Sequence, residues 1–356
     1  MVLETGKKVY FLSDFHLGAP NDTESRKRED RLVRFLQDAR KDAGIIFIVG
    51  DIFDFWFEYK TVVPKGFVRI LGTLAQLADE GIQLHIFTGN HDLWMQDYLS
   101  KELNAKLYFE PQAFTIQNKQ FLIGHGDGLG PGDKGYKRLK KIFTNPICQW
   151  LFRWLHPDAG IQLANYFSRK SRAKTGNADE IFLGEDKEWL ILYTKEKAKT
   201  MAVDFFIFGH RHYAIDLKIN DKSRYINLGD WIRLNTYAVF DGTDLQLLTW
   251  NSGIDTHIPL QLPRGYSAIY IFKWNECYLK VGKVNSKSNA RYQSQHYNPN
   301  SSISNLSQYL MNDPEFEDIL VDTHPGDWLK ENTTRFNILI PERLGKNFVH
   351  FAEAFF

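Results

Sequence analysis

At 356 residues, with 43% hydrophobic and 24% charged residues, the chain has the balance of a folded protein able to bury more than one core, which excludes a disordered polymer. A formal net charge of +1 excludes a whole-molecule field aimed at nucleic acid or acidic membrane, so only local charge can direct such partners. Two cysteines, Cys148 and Cys277, form neither a CxxC pair nor a disulfide framework, and no signal-peptide pattern or apolar run of ~18 residues is present, so a cytoplasmic chain with at most peripheral membrane contact is expected.

Lys8 to Leu12 reads as a short apolar strand running into Ser13-Asp14-Phe15-His16. Arg26 to Arg40 is helical in period, with Leu32, Phe35, Leu36 and Ala39 on one face, and Ile45 to Val49 forms a strand ending in Gly50-Asp51. The cycle repeats through a helix from Phe67 to Asp79 and a strand from Gln83 to Phe87, which enters Gly89-Asn90-His91-Asp92. Strand Gln120 to Ile123 enters Gly124-His125-Gly126-Asp127, and strand Phe205 to Phe208 enters Gly209-His210-Arg211-His212. Polar residues thus gather at the C-terminal ends of strands, where loops of α/β folds converge on ligands.

Between Gly128 and Thr200 helical periods dominate, and Ile147, Trp150, Leu151, Trp154 and Leu155 make an apolar helical stripe. Gly132 to Lys174 holds ten Lys or Arg against two acids, Asp133 and Asp158. This basic insertion is either a solvated cap or a lid whose aromatics meet acyl chains and whose cations meet phosphate. After Arg224 to Trp231 and a strand pair ending near Trp250, residues 251–263 carry Gly253, Pro259 and Pro263 and read as a linker. A separate unit is expected over 264–356.

Asp-x-His, Gly-Asp, Gly-Asn-His-Asp, Gly-His-Gly-Asp and Gly-His-x-His each follow a strand, and together they supply oxygen and nitrogen ligands for two divalent ions. Hydrolysing a phosphoester near neutral pH needs an acidified water and an offset for phosphoryl charge, and two ions roughly 3.5–4 Å apart supply both. Carboxylate and imidazole ligands suit manganese, iron or zinc, with manganese expected first. The five motifs resemble those of the calcineurin-like metallophosphoesterases. The resemblance implies an α/β fold, a β-sandwich flanked by helices with a helical lid at about 128–200. It also implies that Asp14, His16 and His212 bind one metal, that Asn90, His125 and His210 bind the other, and that Asp51 bridges them. His91 would be the catalytic, non-ligand histidine at the leaving oxygen, with Asp92 orienting it.

A finer resemblance covers residues 8–250. Ser-Asp-Phe-His-Leu-Gly, Gly-Asp-Ile-Phe-Asp-Phe-Trp, Gly-Asn-His-Asp-Leu-Trp and His-Gly-Asp-Gly-Leu, followed by Asp133, Tyr136 and a long helical insertion, are similar to UDP-2,3-diacylglucosamine pyrophosphohydrolases. That family cleaves a membrane-associated nucleotide-sugar lipid to UMP and 2,3-diacylglucosamine 1-phosphate in lipid A synthesis. The similarity implies substrate contacts from Tyr136, Ser168, Arg169, Arg172 and Lys174 and a peripheral position at the inner face of the cytoplasmic membrane. The pattern departs at His91, where the best-known members carry Arg. A phosphodiesterase or nuclease acting on nucleic acid or another nucleotide is the alternative reading.

The C-terminal unit opens with Ala268 to Phe272 and Leu279 to Lys283 as hairpin strands. With Tyr270, Gly282, Arg291 and Glu353 it resembles the GIY-YIG nuclease-like module, a small α+β domain, although Lys280 stands where the second motif tyrosine belongs. Nucleic acid is therefore a candidate partner of this unit, and a catalytically silent binding or assembly module is the competing expectation. Cations and anions nearly balance across 264–356, which gives nucleic acid no electrostatic footprint.

Overall fold

A computed structural model of the chain describes residues 1–130, 134–164, 182, 184–250, 266–274, 277–284, 295–298, 300, 306–316 and 324–341. Its backbone contacts divide the chain into two compact units, Met1–Trp250 and Asn251–Phe356.

The first unit opens with β1 (Lys8–Leu12), α1 (Asp22–Ala39) and β2 (Ala43–Val49). Helix α1 begins earlier than the Arg26 expected from apolar period, because Asn21 caps it: its side-chain oxygen accepts from Glu24 N at 2.9 Å, and Asp22 and Glu24 suit the positive helix end. Next come α2 (Val68–Asp79), β3 (Gln83–Phe87), α3 (Tyr98–Glu102), β4 (Lys106–Tyr108), β5 (Gln112–Ile116) and β6 (Lys119–Ile123). The insertion supplies α4 (Lys134–Phe143), α5 (Pro146–Arg153) and α6 (residues 157–164). Helix α7 (Trp189–Thr200) returns the chain to β7 (Phe205–Phe208), β8 (Ala214–Lys218), β9 (Arg224–Leu228), β10 (Thr236–Phe240) and β11 (Leu245–Thr249).

These strands form two sheets, ordered β11-β10-β1-β2-β3-β4 and β5-β6-β7-β9-β8. The sheets pack face to face. Phe11 of β1 stacks at 5.2 Å on Phe47 of β2 and at 5.8 Å on Phe121 of β6, within a buried layer that includes Val9, Val49, Ile123, Ile207 and Ile226. On the far side of the six-stranded sheet, Leu32, Phe35 and Leu36 of α1 and Ile70, Leu74 and Leu77 of α2 join Ile46 and Ile48 in a second core. Leu190 and Ile191 of α7 cover the other sheet through Leu122, Phe206 and Phe208. Strands β1, β2 and β3 are mutually parallel, as are β6, β7 and β9, so in each sheet the C-terminal ends of the motif-bearing strands lie together. The architecture is the expected β-sandwich flanked by helices. The short strands β4, β5 and β8 carry too little apolar pattern to be read from sequence.

In the second unit, β12 (Tyr266–Trp274), β13 (Cys277–Val284) and β14 (Thr334–Pro341) form an antiparallel sheet ordered β13-β12-β14. Helices Leu306–Met311 and Pro325–Asn332 close a core of Tyr270, Phe272, Leu306, Leu310, Trp328 and Leu329. Residues 251–263, expected as a linker, lie outside the described residues.

Candidate metal centre

The loops after the motif-bearing strands turn tightly, so that Asp14, His16, Asp51, His210 and His212 all have positive φ, between 45° and 69°. Such backbone is unfavourable for side-chain-bearing residues, at roughly 1–3 kcal/mol each, and persists only where its surroundings over-determine it. Here cross-links between loops do so. His16 N donates to Asp51 O at 2.9 Å and Leu17 N to Ile52 O at 3.0 Å. Buried Arg28 donates to the carbonyls of Phe15, His16 and Ala19 at 2.7–3.0 Å. Asp14 Oδ2 accepts from His210 N at 2.9 Å, and Asp51 Oδ1 accepts from His91 N at 2.9 Å.

The motif glycines serve this crowding. Gly50 has φ +86°, and a Cβ there would lie 2.4 Å from His125 Nδ1. At Gly89 close approach alone decides, since a Cβ would lie 2.1 Å from Asp51 Oδ1.

The seven predicted ligands are brought together and buried or nearly so. Ligand atoms of Asp14, His16 and His212 lie within 4.8 Å of one another, as do those of Asp51, His125 and His210, and of His16, Asp51 and His91. His125 shows that the set suits a cation. Its Nδ1 lies 2.9 Å from Val49 O, which can only accept, so Nδ1 carries a proton, and whenever the ring is neutral its Nε2 lone pair turns inward. That lone pair faces Asn90 Oδ1 at 3.2 Å and Asp51 Oδ2 at 3.2 Å. Three electron-rich atoms converge, and a proton or a metal must lie between them. Asp14 Oδ1 is buried without a hydrogen-bond partner among the described residues, 3.6 Å from His16 Nε2 and 3.4 Å from His212 Nε2.

Electrostatics express the same arrangement. Burial opposes charge on His125, but Asp51 and Asp14 outweigh it and push its pKa up to about 10. His16 is pushed to about 10 by Asp14, Asp54 and Asp51, again against burial, while Asp14 falls to about 2 against its own burial because His16 and His212 stand beside it. His210 drops to about 4, through burial and then the charge of His125. Protons therefore occupy His16 and His125 until divalent ions displace them, while His210 stays neutral.

Behind the ligands stand carboxylates that sequence reading missed. Asp54 Oδ1 lies 3.6 Å from His16 Nδ1 and 3.5 Å from His91 Nδ1, and Asp230 Oδ2 lies 3.5 Å from His212 Nδ1. Such partners fix ring orientation. The signal for Asp230 was available, since Gly229-Asp230 follows strand β9 as Gly50-Asp51 follows β2. His91 is partly exposed at the edge of the group, edge-on to His16 at 4.8 Å, and Nδ1 donates to Asp54 O at 3.1 Å. Asp92, expected to orient His91, accepts instead from Gly89 N at 2.7 Å and Ile52 N at 2.8 Å, bracing the two loops; burial, followed by Asp51, raises its pKa to about 7.

The Tyr136 hydroxyl donates to Asp127 Oδ2 at 2.6 Å, beside Lys140 Nζ at 2.8 Å, close to His125. Ser168, Arg169, Arg172 and Lys174 lie outside the described residues. In the second unit, Tyr270 and Gly282 are cross-strand partners, and a Cβ at Gly282 would lie 2.3 Å from the Tyr270 hydroxyl. Tyr270 is buried, its hydroxyl 2.7 Å from His296 Nε2. Leu306 N donates to His296 Nδ1 at 3.2 Å, so Nε2 is the donor to Tyr270. Arg291 and Glu353 lie outside the described residues.

A two-sheet sandwich with carboxylate, amide and imidazole side chains converging at its strand ends defines a metal-dependent phosphoester hydrolase. Residues 7–214 match the calcineurin-like phosphoesterase family, and the chain belongs to it. It is 42% identical over 252 residues to UDP-2,3-diacylglucosamine hydrolase of Porphyromonas gingivalis, covering 67% of this chain and 96% of that protein. The proteins of the same name from Haemophilus influenzae and Pseudomonas putida are each 28% identical, over 63% and 67% of this chain and 91% and 97% of theirs.

Proposed function

We propose that the chain hydrolyses the pyrophosphate bond of UDP-2,3-diacylglucosamine, consuming one water and releasing UMP and 2,3-diacylglucosamine 1-phosphate. The observation that carries this reading is the 42% identity extending over 96% of the Porphyromonas gingivalis hydrolase. In this reading Asp14, His16 and His212 hold one divalent ion, Asn90, His125 and His210 the other, and Asp51 bridges them, with manganese the first candidate. When bound, the two ions offset phosphoryl charge and make water acidic enough to attack. Asp54, Asp230 and the Val49 carbonyl keep the His16, His212 and His125 rings aimed inward. His91 holds its proton on Nδ1 against Asp54 O, which leaves Nε2 to exchange a proton with the leaving oxygen.

The insertion supports a lipid substrate. Helix α5 is anchored by Phe152, which packs on Phe57 at 4.8 Å and Trp94 at 4.7 Å. Ile147, Trp150, Leu151 and Trp154 are 54–75% exposed, Arg153 lies on the same helix, and Arg138 and Lys141 lie on the preceding helix α4. Apolar surface of this kind, flanked by cations, suits acyl chains and the anionic surface of the bilayer that holds them. Among the described residues no helix is long and apolar enough to cross a membrane, and the reading takes the contact to be peripheral. The test is to incubate manganese-loaded protein with UDP-2,3-diacylglucosamine, a cyclic nucleotide and a short DNA, and to identify the products by mass spectrometry. UMP and the lipid phosphate are expected; cleavage of DNA or the cyclic nucleotide with the lipid nucleotide untouched would overturn the reading.

A further inference from the structure

Helix α7 begins immediately beyond Glu188, and the Glu188 carboxylate is almost wholly buried. It faces Arg211, the variable residue of the Gly-His-x-His motif, in a two-pronged ion pair: Nε to Oε2 and Nη2 to Oε1, both at 3.1 Å. The Tyr213 hydroxyl donates to the same Oε2 at 2.8 Å. Glu188 therefore grips the residues on both sides of His212. The Arg211 guanidinium lies between the rings of Trp189 and Tyr213, 5.3 Å from each, and Trp189 in turn stacks on His210 at 6.0 Å with 18° between planes. Asn227 Nδ2 fixes the start of the turn by donating to Gly209 O at 2.7 Å.

We propose that Glu188 is a positioning residue for the metal centre, acting through Arg211, Tyr213 and the Trp189 ring to hold His210 and His212 at their ligating angles. The proposal rests on the ligand roles given above. Two considerations separate it from a purely structural pair. His210 and His212 have φ of 69° and 46°, and a turn so unfavourable relaxes unless side chains on either side are pinned. A buried ion pair also adds little net stability compared with apolar groups of similar volume. Orientation of the loop is thus the pair's distinct contribution, and residues that orient metal ligands typically change metal affinity by roughly 10–100-fold.

The test uses the full-length protein stripped by chelator and titrated calorimetrically with Mn2+ alone. Two variants are compared with wild type: Glu188→Gln, near-isosteric and still able to accept from Tyr213, and the apolar double replacement Glu188→Leu with Arg211→Met. Both are expected to fold, with the double variant melting close to wild type, yet to bind Mn2+ roughly 10–100-fold more weakly. On a small chromogenic phosphodiester, kcat should recover as Mn2+ is raised, with KM for the diester unchanged. Folded variants with wild-type Mn2+ affinity would overturn the proposal. So would variants that fail to fold even with Mn2+ present, since the pair would then be a folding element. A wild-type protein that binds Mn2+ and cleaves the diester but spares UDP-2,3-diacylglucosamine would remove the substrate reading and leave this proposal standing.

Discussion

Gly89 illustrates how closely the residues of the centre constrain one another. Its Cα approaches Asp51 so nearly that Gly89→Ala would drive a methyl onto a carboxylate oxygen 2.1 Å away. Either Asp51 or the Asn90 loop must move, and activity on a small phosphodiester should fall by more than about 100-fold, beyond the range typical of outer-shell changes. Steady-state kinetics at saturating Mn2+ checks this; near-normal turnover would show that the loop can give. His85 offers a second measurement away from the metals. It is buried among Phe47, Tyr108 and Phe114, its Nε2 has no hydrogen-bond partner among the described residues, and burial, then Lys106, lowers its pKa from 6.5 to about 4. The unfolded chain takes up this proton near pH 6.5 while the folded chain refuses it until about 4. Its contribution is therefore complete above pH 6.5 and is lost as pH falls towards 4, to a limit of about 3 kcal/mol. Between pH 7.5 and 5, urea melts of His85→Phe should lose roughly 2 kcal/mol less stability than wild type. Equal losses would place the acid sensitivity elsewhere.

Among the elements, α5 combines an anchored side with an exposed one. Phe152 meets Phe57 and Trp94, whereas Trp150 and Trp154 are 54% and 75% exposed. Replacing both tryptophans by alanine should cost little stability, since neither is buried. It should lower turnover of UDP-2,3-diacylglucosamine by roughly tenfold or more, each lost aromatic forfeiting burial against acyl carbons worth about 0.8 kcal/mol per methylene. Hydrolysis of the chromogenic diester should stay near wild type; parallel losses in both assays would deny the helix a lipid role. The apolar stripe was legible from its helical spacing. Its exposure was not, because the same spacing describes a core-facing helix and a ligand-facing one.

For the whole molecule, residues 1–250 carry their own cores: one between the two sheets, one beneath α1 and α2, and one beneath α7. We propose that they form an independent catalytic domain and that 251–263 links it to the C-terminal unit. A chain ending at Trp250 should then fold, melt cooperatively in circular dichroism and retain most of the pyrophosphatase activity. Loss of that activity in a folded truncation would give the C-terminal unit a part in catalysis. Tyr270 and Gly282 were picked out together in the sequence. The structure relates them as cross-strand neighbours, the glycine making room for the tyrosine ring.

Sequence alone picked out the proposed ligand set, because two-metal chemistry demands particular residue types and a parallel sheet brings the ends of its strands together; Asp14, His16, Asp51, Asn90, His125, His210 and His212 could be selected by type and by their place after apolar strands. It also determined the helices with strong apolar period. Tertiary structure alone decided what stands behind those ligands: Arg28 on the carbonyls of Phe15, His16 and Ala19, Asp54 and Asp230 behind the imidazoles, Asp92 across two loops, and Glu188 against Arg211. Apart from Gly89 with Asp92, these partners lie well separated in the chain, and of them Asp230 follows a strand as the proposed ligands do. A buried carboxylate is placed by whichever hydrogen-bond donors the fold carries to it, and that distance is not written in the local pattern.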